Sequence, residues 1–586
     1  MTQASDPASD PGTRRRLAKA LRSTDDPLSF RMVGALAAGG AVAAVLAILA
    51  GSPMTPLAIL VGGYLGAVAL TGPLALTLRL MILFGGLAVV TISLAVVSAG
   101  VPLAQAAILA VLAYLGAVWS AIPYIGPLGG GFMPMMYLLL TFVFTADSLK
   151  HAVWQAPVAG LIGVVAATLV ALVIHARDPW GTARRDVAQQ WTEAGTLDGS
   201  ARTAAMLQLS GRPSVLTDLL RAAVLAMLGR ATVRPGTDDS LVDAASTASD
   251  DIAGTLQPRG RLVPRDVPGE PLHAPAERLR IGISRWAEAI DRARGLLAGR
   301  TVPPRPSRLG PSLAETVWGS AFRPSDIQWR YGAQRAIALG GGAAVLAITG
   351  LPHALWVLIT MFAVLQPDAP VTFVKAGQRG AGTLAGALLA IALSLVLPSS
   401  VLYPWLAILA MLVGLLWMRR NYAVMTACVA AAVVFFSGVP SGTAPAVAGM
   451  RLLDTVVGVA VGWLISALVF PVRARPLERR ANALDAIDRF LGSAGGPAPD
   501  RETFIAQLQP ATRALADYRA SVRLIHEGAT PSQESVAADV TQVESLLREV
   551  TMLGVLEGED PDDPLLDKAH ERLAHRAEDL RADPPT

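Results

Sequence analysis

Residues 32–50 read MVGALAAGGAVAAVLAILA, a stretch without a single ionisable side chain. A helix rises ~1.5 Å per residue, so a run of this length covers most of the ~30 Å hydrocarbon layer of a bilayer. Part of it returns 300 positions later: AAVLAI at 43–48 recurs at 343–348. At the same offset Gly40 matches Gly340, Arg79 matches Arg379 and Gly86 matches Gly386. An alanine-rich hexapeptide recurs easily in such a composition, but two arginines each opening a third apolar segment do not.

The apolar character extends far beyond this run. Between Met32 and Ala146 the only Asp, Glu, Lys or Arg is Arg79. Between Ala336 and Val472 there are Asp368, Lys375, Arg379, Arg419, Arg420, Arg451 and Asp454. A charge in hydrocarbon is costly, so these two blocks suit a membrane, and the charges they keep are the first candidates for function. With 53% hydrophobic and 16% charged residues and a formal charge of +4, the 586-residue chain departs from an ordinary soluble protein. Its arginines gather at segment ends, a pattern that orients a membrane protein better than it makes a nucleic-acid surface. The single cysteine, Cys428, excludes an intramolecular disulfide and reads as a small buried residue.

Pro, Gly and charge punctuation predicts an all-α polytopic membrane protein with about twelve crossings in two six-helix halves. The first six are Met32–Ala50, Met54–Gly72, Leu80–Ala99, Pro102–Ile122, Leu128–Ala146 and Ala152–His175. The second six are Ala333–Gly350, His353–Leu365, Arg379–Leu397, Val401–Met418, Tyr422–Ser437 and Ala446–Phe470. The expected organisation is therefore a cytoplasmic segment 1–31, a membrane half 32–175, a cytoplasmic insert 176–332, a second membrane half 333–472 and a cytoplasmic tail 473–586. Arg14, Arg15 and Arg16 precede a polar stretch, so the first crossing itself is expected to direct insertion. Counting Lys and Arg places both termini inside. Arg22, Arg31, Arg79, Arg184, Arg335, Arg420 and Arg473 fall on one side, while Asp147 and Lys150 are exceptions in otherwise uncharged outer loops. Both halves then begin inside, which makes the repeat parallel.

Within the insert, Leu279, Ile283, Trp286 and Ile290 predict an amphipathic helix. Val233–Pro275 and Arg300–Pro311, rich in Pro, Gly, Ser and Asp, read as linker. Three apolar stripes predict helices in the tail: Leu484/Ile487/Leu491, Leu515/Tyr518/Val522/Ile525 and Val536/Val540/Val543/Leu547/Val550.

Two constellations carry chemistry. Arg451, Asp454 and Thr455 share one helical face early in the last crossing. The functional reading has Arg451 attracting an anion while Asp454 pairs with it or takes up a proton. The alternatives are a structural ion pair, or snorkelling of Arg451 to the interface. The second constellation follows Gln366-Pro367-Asp368. Thr372, Lys375, Arg379, Thr383 and Gly386 recur at steps of three, four, four and three, a polar stripe suited to collecting anions. For Lys375 the positive-inside pattern alone is an equal explanation. Glycines four apart (Gly62/Gly66, Gly382/Gly386, Gly458/Gly462) read as close helix packing. No P-loop, HExxH, paired CxxC or nucleophile elbow occurs, so neither an enzyme nor a cofactor is expected.

These residues resemble the fusaric acid resistance family, which includes the aromatic acid exporters. The resemblance rests on Trp356, Gln366-Pro367, Thr372, Lys375, Arg379, Gly382-Thr383 and Gly386, and on Arg451 through Thr455 with Gly458. It implies proton-coupled export of small organic anions such as aromatic carboxylates across the bacterial inner membrane. Lys375, Arg379, Thr383, Arg451, Asp454 and Thr455, with Arg79 from the first half, are then the pathway and coupling residues. The first half departs from the pattern, since Pro157 to Ile174 contains no ionisable residue. Alternating access would move one half against the other. The resemblance leaves open an anion channel, and the cytoplasmic regions leave open a non-transporting scaffold. Expected partners are the lipid bilayer and the anion, with a homo-oligomer and a periplasmic adaptor also open; nucleic acid is not expected.

Overall fold

The computed structural model describes residues 30–70, 72–120, 130–143, 153–176, 178–192, 196, 200, 203–204, 206–207, 210, 215–231, 239–257, 281–299, 326–349, 354–365, 369–396, 402–418, 420–438, 444–470, 476–494, 501–526, 531–557 and 564–583. Among these the fold is all-helical. Arg14–Arg16, Arg22, Asp147, Lys150, His353, Gln366–Asp368, Arg419 and Arg473 lie outside the described residues.

The first apolar block forms α1 (Phe30–Leu49), α2 (Thr55–Val68), α3 (Leu74–Val97), α4 (Pro102–Trp119), α5 (Phe132–Val143) and α6 (Gln155–His175). The second opens with α11 (Asp326–Ala336), a π-helical segment (Ile337–Gly341) and α12 (Gly342–Thr349), which run on continuously. It goes on with α13 (Ala354–Val364), α14 (Ala369–Val396), α15 (Tyr403–Trp417), α16 (Tyr422–Gly438) and α17 (Ala444–Leu468). A helix thus falls on each expected segment. By length and composition, α1, α3, α4, α6 and Gly449–Leu468 of α17 can cross a membrane, and α2, α5, α13, α15 and α16 contain shorter apolar helices. Their outward faces are apolar, with Leu49, Val97, Ile348 and Trp405 each more than two-thirds exposed. Water does not favour such a surface over many helices, whereas lipid does.

Three helix starts differ from the sequence expectation by six residues or more: α3 opens at Leu74, six before Leu80, α11 at Asp326, seven before Ala333, and α14 further still. α14 begins at Ala369, ten residues before Arg379, because Pro370 fits the first turn of a helix. Lys375 and Arg379 are therefore inside the helix instead of at its mouth.

Within each block the third helix packs on the fifth and sixth, and the second packs on the sixth. The cores, however, do not divide at the boundary between blocks. The main core gathers α1–α6 together with Ala338, Leu339, Ala343, Leu358 and Met361 of the second block. α14, α15 and α16 have a separate core of Ala387, Ala390, Ala407, Ala431, Ala432, Val434 and Phe435. α17 lies between them, packed against both α13 and α14. α11, the π-segment and α12 lie along α4, where a Cβ on Gly340 would strike Ala110.

Residues 300 apart are not interchangeable in this packing. Gly386 lies so close to α16 that a Cβ would overlap the Ala427 carbonyl, whereas Gly86 has open space around it. Gly386→Val should therefore destabilise the protein by about 1–3 kcal/mol or more, seen as a lower thermal midpoint and a poorer monodisperse yield, while Gly86→Val should behave as wild type.

The insert contributes α7 (Gly181–Trp191), α8 (Val215–Ala231), α9 (Asp239–Leu256) and α10 (Ile281–Leu297). Ile283, Trp286 and Ile290 are buried, while Leu279 is outside the described residues. α9 corrects the linker reading of Val233–Pro275: Ala245, Ala248, Ile252 and Leu256 are buried along one face. Alanines supply half of that face, so its polarity contrast against Asp and Ser is small. Among the described residues the tail has four helices, α18 (Pro476–Ala494), α19 (Arg501–His526), α20 (Pro531–Glu557) and α21 (Pro564–Ala582), where the apolar stripes predict three. Their core includes Leu484, Ile487, Tyr518, Val543 and Leu573, and it also takes in Val224 and Leu228 of α8. Leu219, Leu220 and Ala223 of the same helix enter the insert's core, so α8 joins both.

Candidate functional site

The seam between the two membrane cores holds a column of polar side chains from α13, α14, α16 and α17. Its spine is one face of α13. Trp356 and Thr360, four residues apart, each receive an arginine from a neighbouring helix.

Arg379 enters from α14. Its Nε donates to Thr360 Oγ1 at 3.3 Å, and Nη1 to Tyr422 Oη of α16 at 3.5 Å. Ten residues of helix separate it from Ala369, which puts it ~15 Å along α14, about half the hydrocarbon thickness. Arg451 comes from α17, and its guanidinium carbon lies 3.0 Å from the centroid of the Trp356 ring. Such a separation is reached only over the ring face, where the π-quadrupole attracts a cation. Arg451 Nε is buried and donates to no protein atom.

Asp454, a turn further along α17, is 8% exposed and acts on Arg451 through its charge; Arg379 is close enough to repel it. Thr455 Oγ1 donates to the Arg451 carbonyl at 2.8 Å, so its proton is committed to its own helix. Gly458 completes this face, and a Cβ there would lie 2.7 Å from Thr360 Cβ. That close approach brings α17 against α13 and sets the height of Asp454 relative to Thr360. The five glycines Gly62, Gly66, Gly382, Gly386 and Gly458 all sit at tight helix contacts, while Gly462 meets only ordinary contact at 3.8 Å.

The structure thus brings together Arg379, Arg451, Asp454 and Thr455. Thr383 is buried on α14, and Lys375 is half-buried a turn before Arg379. Thr372 lies on α14, but its side chain is outside the described residues. Arg79 does not join the column: it is on α3, on an exposed face. Cys428 is half-buried, not fully so, beside Gly414. Among the described residues no three His, Cys, Asp or Glu side chains gather as metal ligands would.

Sequence reading passed over Thr360 and Tyr422, because a lone hydroxyl in an apolar helix carries no periodic signal. It also passed over the clamp made by α11. Gln334, fully buried, donates through Nε2 to the Val469 carbonyl at 2.9 Å, at the end of α17. Tyr331 Oη donates to the Leu365 carbonyl at 3.1 Å, at the end of α13. The Arg335 guanidinium lies 4.3 Å over Phe362 and 5.4 Å over Tyr331. A terminal helix carbonyl needs a donor, and these side chains supply two.

This arrangement defines a membrane protein of apolar helices with a buried, arginine-bearing polar column. Residues 339–465, which hold the whole column, match the family model described as fusaric acid resistance protein-like, so the family resemblance holds over that region. The Escherichia coli inner membrane protein YccS is 30% identical over 177 residues, which are 28% of this chain and 24% of that protein. An uncharacterised Synechocystis protein is 33% identical over 147 residues, 24% of this chain and 19% of that one. The chain thus aligns with about a quarter or less of the length of these relatives. No solved structure matches.

Proposed function

We propose that the chain is a secondary exporter of small organic anions, aromatic carboxylates among them, in the bacterial inner membrane. The observation that carries this reading is a charge imbalance in a desolvated place. Two guanidinium groups, Arg379 and Arg451, meet in the column, and Asp454 is the one carboxylate that the described residues bring beside them. Excess positive charge in a low dielectric is costly, and an entering anion relieves it.

The proposal includes twelve crossings in two parallel halves, both termini in the cytoplasm, and coupling to the proton gradient through Asp454. A proton on Asp454 removes the counter-charge of Arg451 and strengthens the pull on an anion; its loss restores the pair and weakens that pull. Conformational exchange in this reading runs along the seam, with α14–α16 moving against the main core, instead of between the two halves.

Flux in proteoliposomes tests it. Asp454→Asn should lower uphill export driven by an imposed pH gradient at least tenfold, while export down an anion gradient continues and the protein inserts normally. Wild-type flux that only ever follows the anion gradient would make the protein an anion channel instead. Export unchanged in Asp454→Asn at normal abundance would remove that residue from coupling.

A further inference from the structure

On the α13 face Arg379 and Arg451 each meet a neutral group, for Arg451 a ring, while Asp454 acts on Arg451 through its charge from its own helix. A hydroxyl or carboxylate partner would take up some of the five in-plane N–H donors of a guanidinium; a ring face takes none. Trp356 meets Arg451 over its face at 3.0 Å, and Arg451 Nε is buried without a hydrogen-bond acceptor. The stack offsets part of the desolvation of the cation and fixes the plane of the fork, yet leaves the fork edge open. The anion that matches an open guanidinium edge is planar, with two oxygens spaced for parallel hydrogen bonds, which describes a carboxylate. A spherical halide matches the charge but uses the fork poorly.

We propose that Trp356 is a positioning residue that makes Arg451 selective for carboxylates over halides. The proposal rests on the exporter reading and deepens it. Thr360, four residues on along α13, accepts from Arg379 Nε at 3.3 Å and Tyr422 accepts from its Nη1 at 3.5 Å, so part of that fork is taken and the two arginines differ. Arg451 supplies the bidentate edge, and Arg379 supplies charge. In the bound state the carboxylate lies in the Arg451 plane, and the organic group projects past the edge of the Trp356 ring.

Full-length protein in proteoliposomes, with benzoate as transported probe and chloride as competitor, tests this. Trp356→Leu should raise the benzoate KM at least tenfold with kcat changed less than threefold, and leave chloride inhibition unaltered. Trp356→Phe, which keeps a ring face, should recover most of that loss. Arg451→Lys keeps the charge and loses the fork, so it should reproduce the KM rise of Trp356→Leu. The double variant should be no worse than Arg451→Lys, because both changes remove one interaction. If Trp356→Leu and Arg451→Lys keep the wild-type KM and benzoate-to-chloride preference, the inference is overturned while the exporter reading stands. If wild-type protein moves no benzoate or other organic anion, the exporter reading itself fails. Monodispersity of every variant in detergent is measured alongside; should Trp356→Leu not fold, Trp356→Phe and Arg451→Lys decide the matter by the same KM criterion.

Discussion

Arg379→Ala is expected to reduce organic-anion export at least a hundredfold while abundance and insertion stay normal. Arg379 sits at mid-helix on α14, tethered to Thr360 and Tyr422, and its guanidinium is one of the two charges that draw an anion into the seam. An electrostatic donor in a site of low dielectric carries far more than it would in water; losing one such group costs on the order of 10²–10³ in rate where it has been measured in enzymes. Arg79→Ala provides the contrast. It lies 300 positions earlier, on an exposed face of α3, so its loss should change export less than threefold. Uptake of a labelled aromatic acid into inverted vesicles checks both variants. Equal effects would restore Arg79 to the pathway, and no effect of Arg379→Ala would favour a scaffold acting through its cytoplasmic regions.

The second large effect belongs to the tail. Asp539, 6% exposed, accepts from Arg480 Nε and Nη2 at 2.8 and 2.7 Å and from Tyr518 Oη at 2.5 Å. Burial, and then the bond to Asp539, push the Tyr518 phenol above its ordinary range. The bond to Asp539 likewise raises the Arg480 guanidinium. Arg480 also donates to the Leu580 carbonyl and, at 3.3 Å, to that of Asp583, so the network ties α18, α19, α20 and α21 together. Removing one partner of a buried ion pair leaves the other uncompensated, at a cost of about 3–5 kcal/mol. Asp539→Ala should therefore loosen the tail, with amides of α18 and α21 exchanging faster in hydrogen-exchange mass spectrometry and those of α1–α6 unchanged. Protection of α21 equal to wild type would show that the apolar core alone holds the bundle.

Much of the membrane region was legible because lipid writes a strong signal: long apolar runs with charge at their ends. The Arg379 and Arg451 faces could be read from spacing, since the cost of charge in hydrocarbon makes each survivor conspicuous. What could not be read was contact between helices. Thr360, Tyr422 and Gln334 act through neighbours 19, 43 and 135 positions away, and no local period encodes such a pairing. The offset of 300 put Arg79 with Arg379 among the expected pathway residues, yet similar sequence does not fix which way a helix faces once its neighbours differ. Outside the apolar blocks two of the misses share a cause. α9 and α21 build about half of their inner faces from alanine, as at Ala245, Ala248, Ala569 and Ala577, whose burial is weakly encoded by hydrophobicity.

The shared helix α8 has a consequence for biosynthesis. Val224 and Leu228 share a core with residues such as Leu484 and Ile487, which leave the ribosome about 250 residues later, after the whole second apolar block. At ~5–20 residues per second that interval is roughly 13–50 s. During it the apolar strip of α8 lacks its partners from the tail. Helices made after the second apolar block thus seal a helix made before it, and a product truncated ahead of Leu484 would leave that strip without these partners.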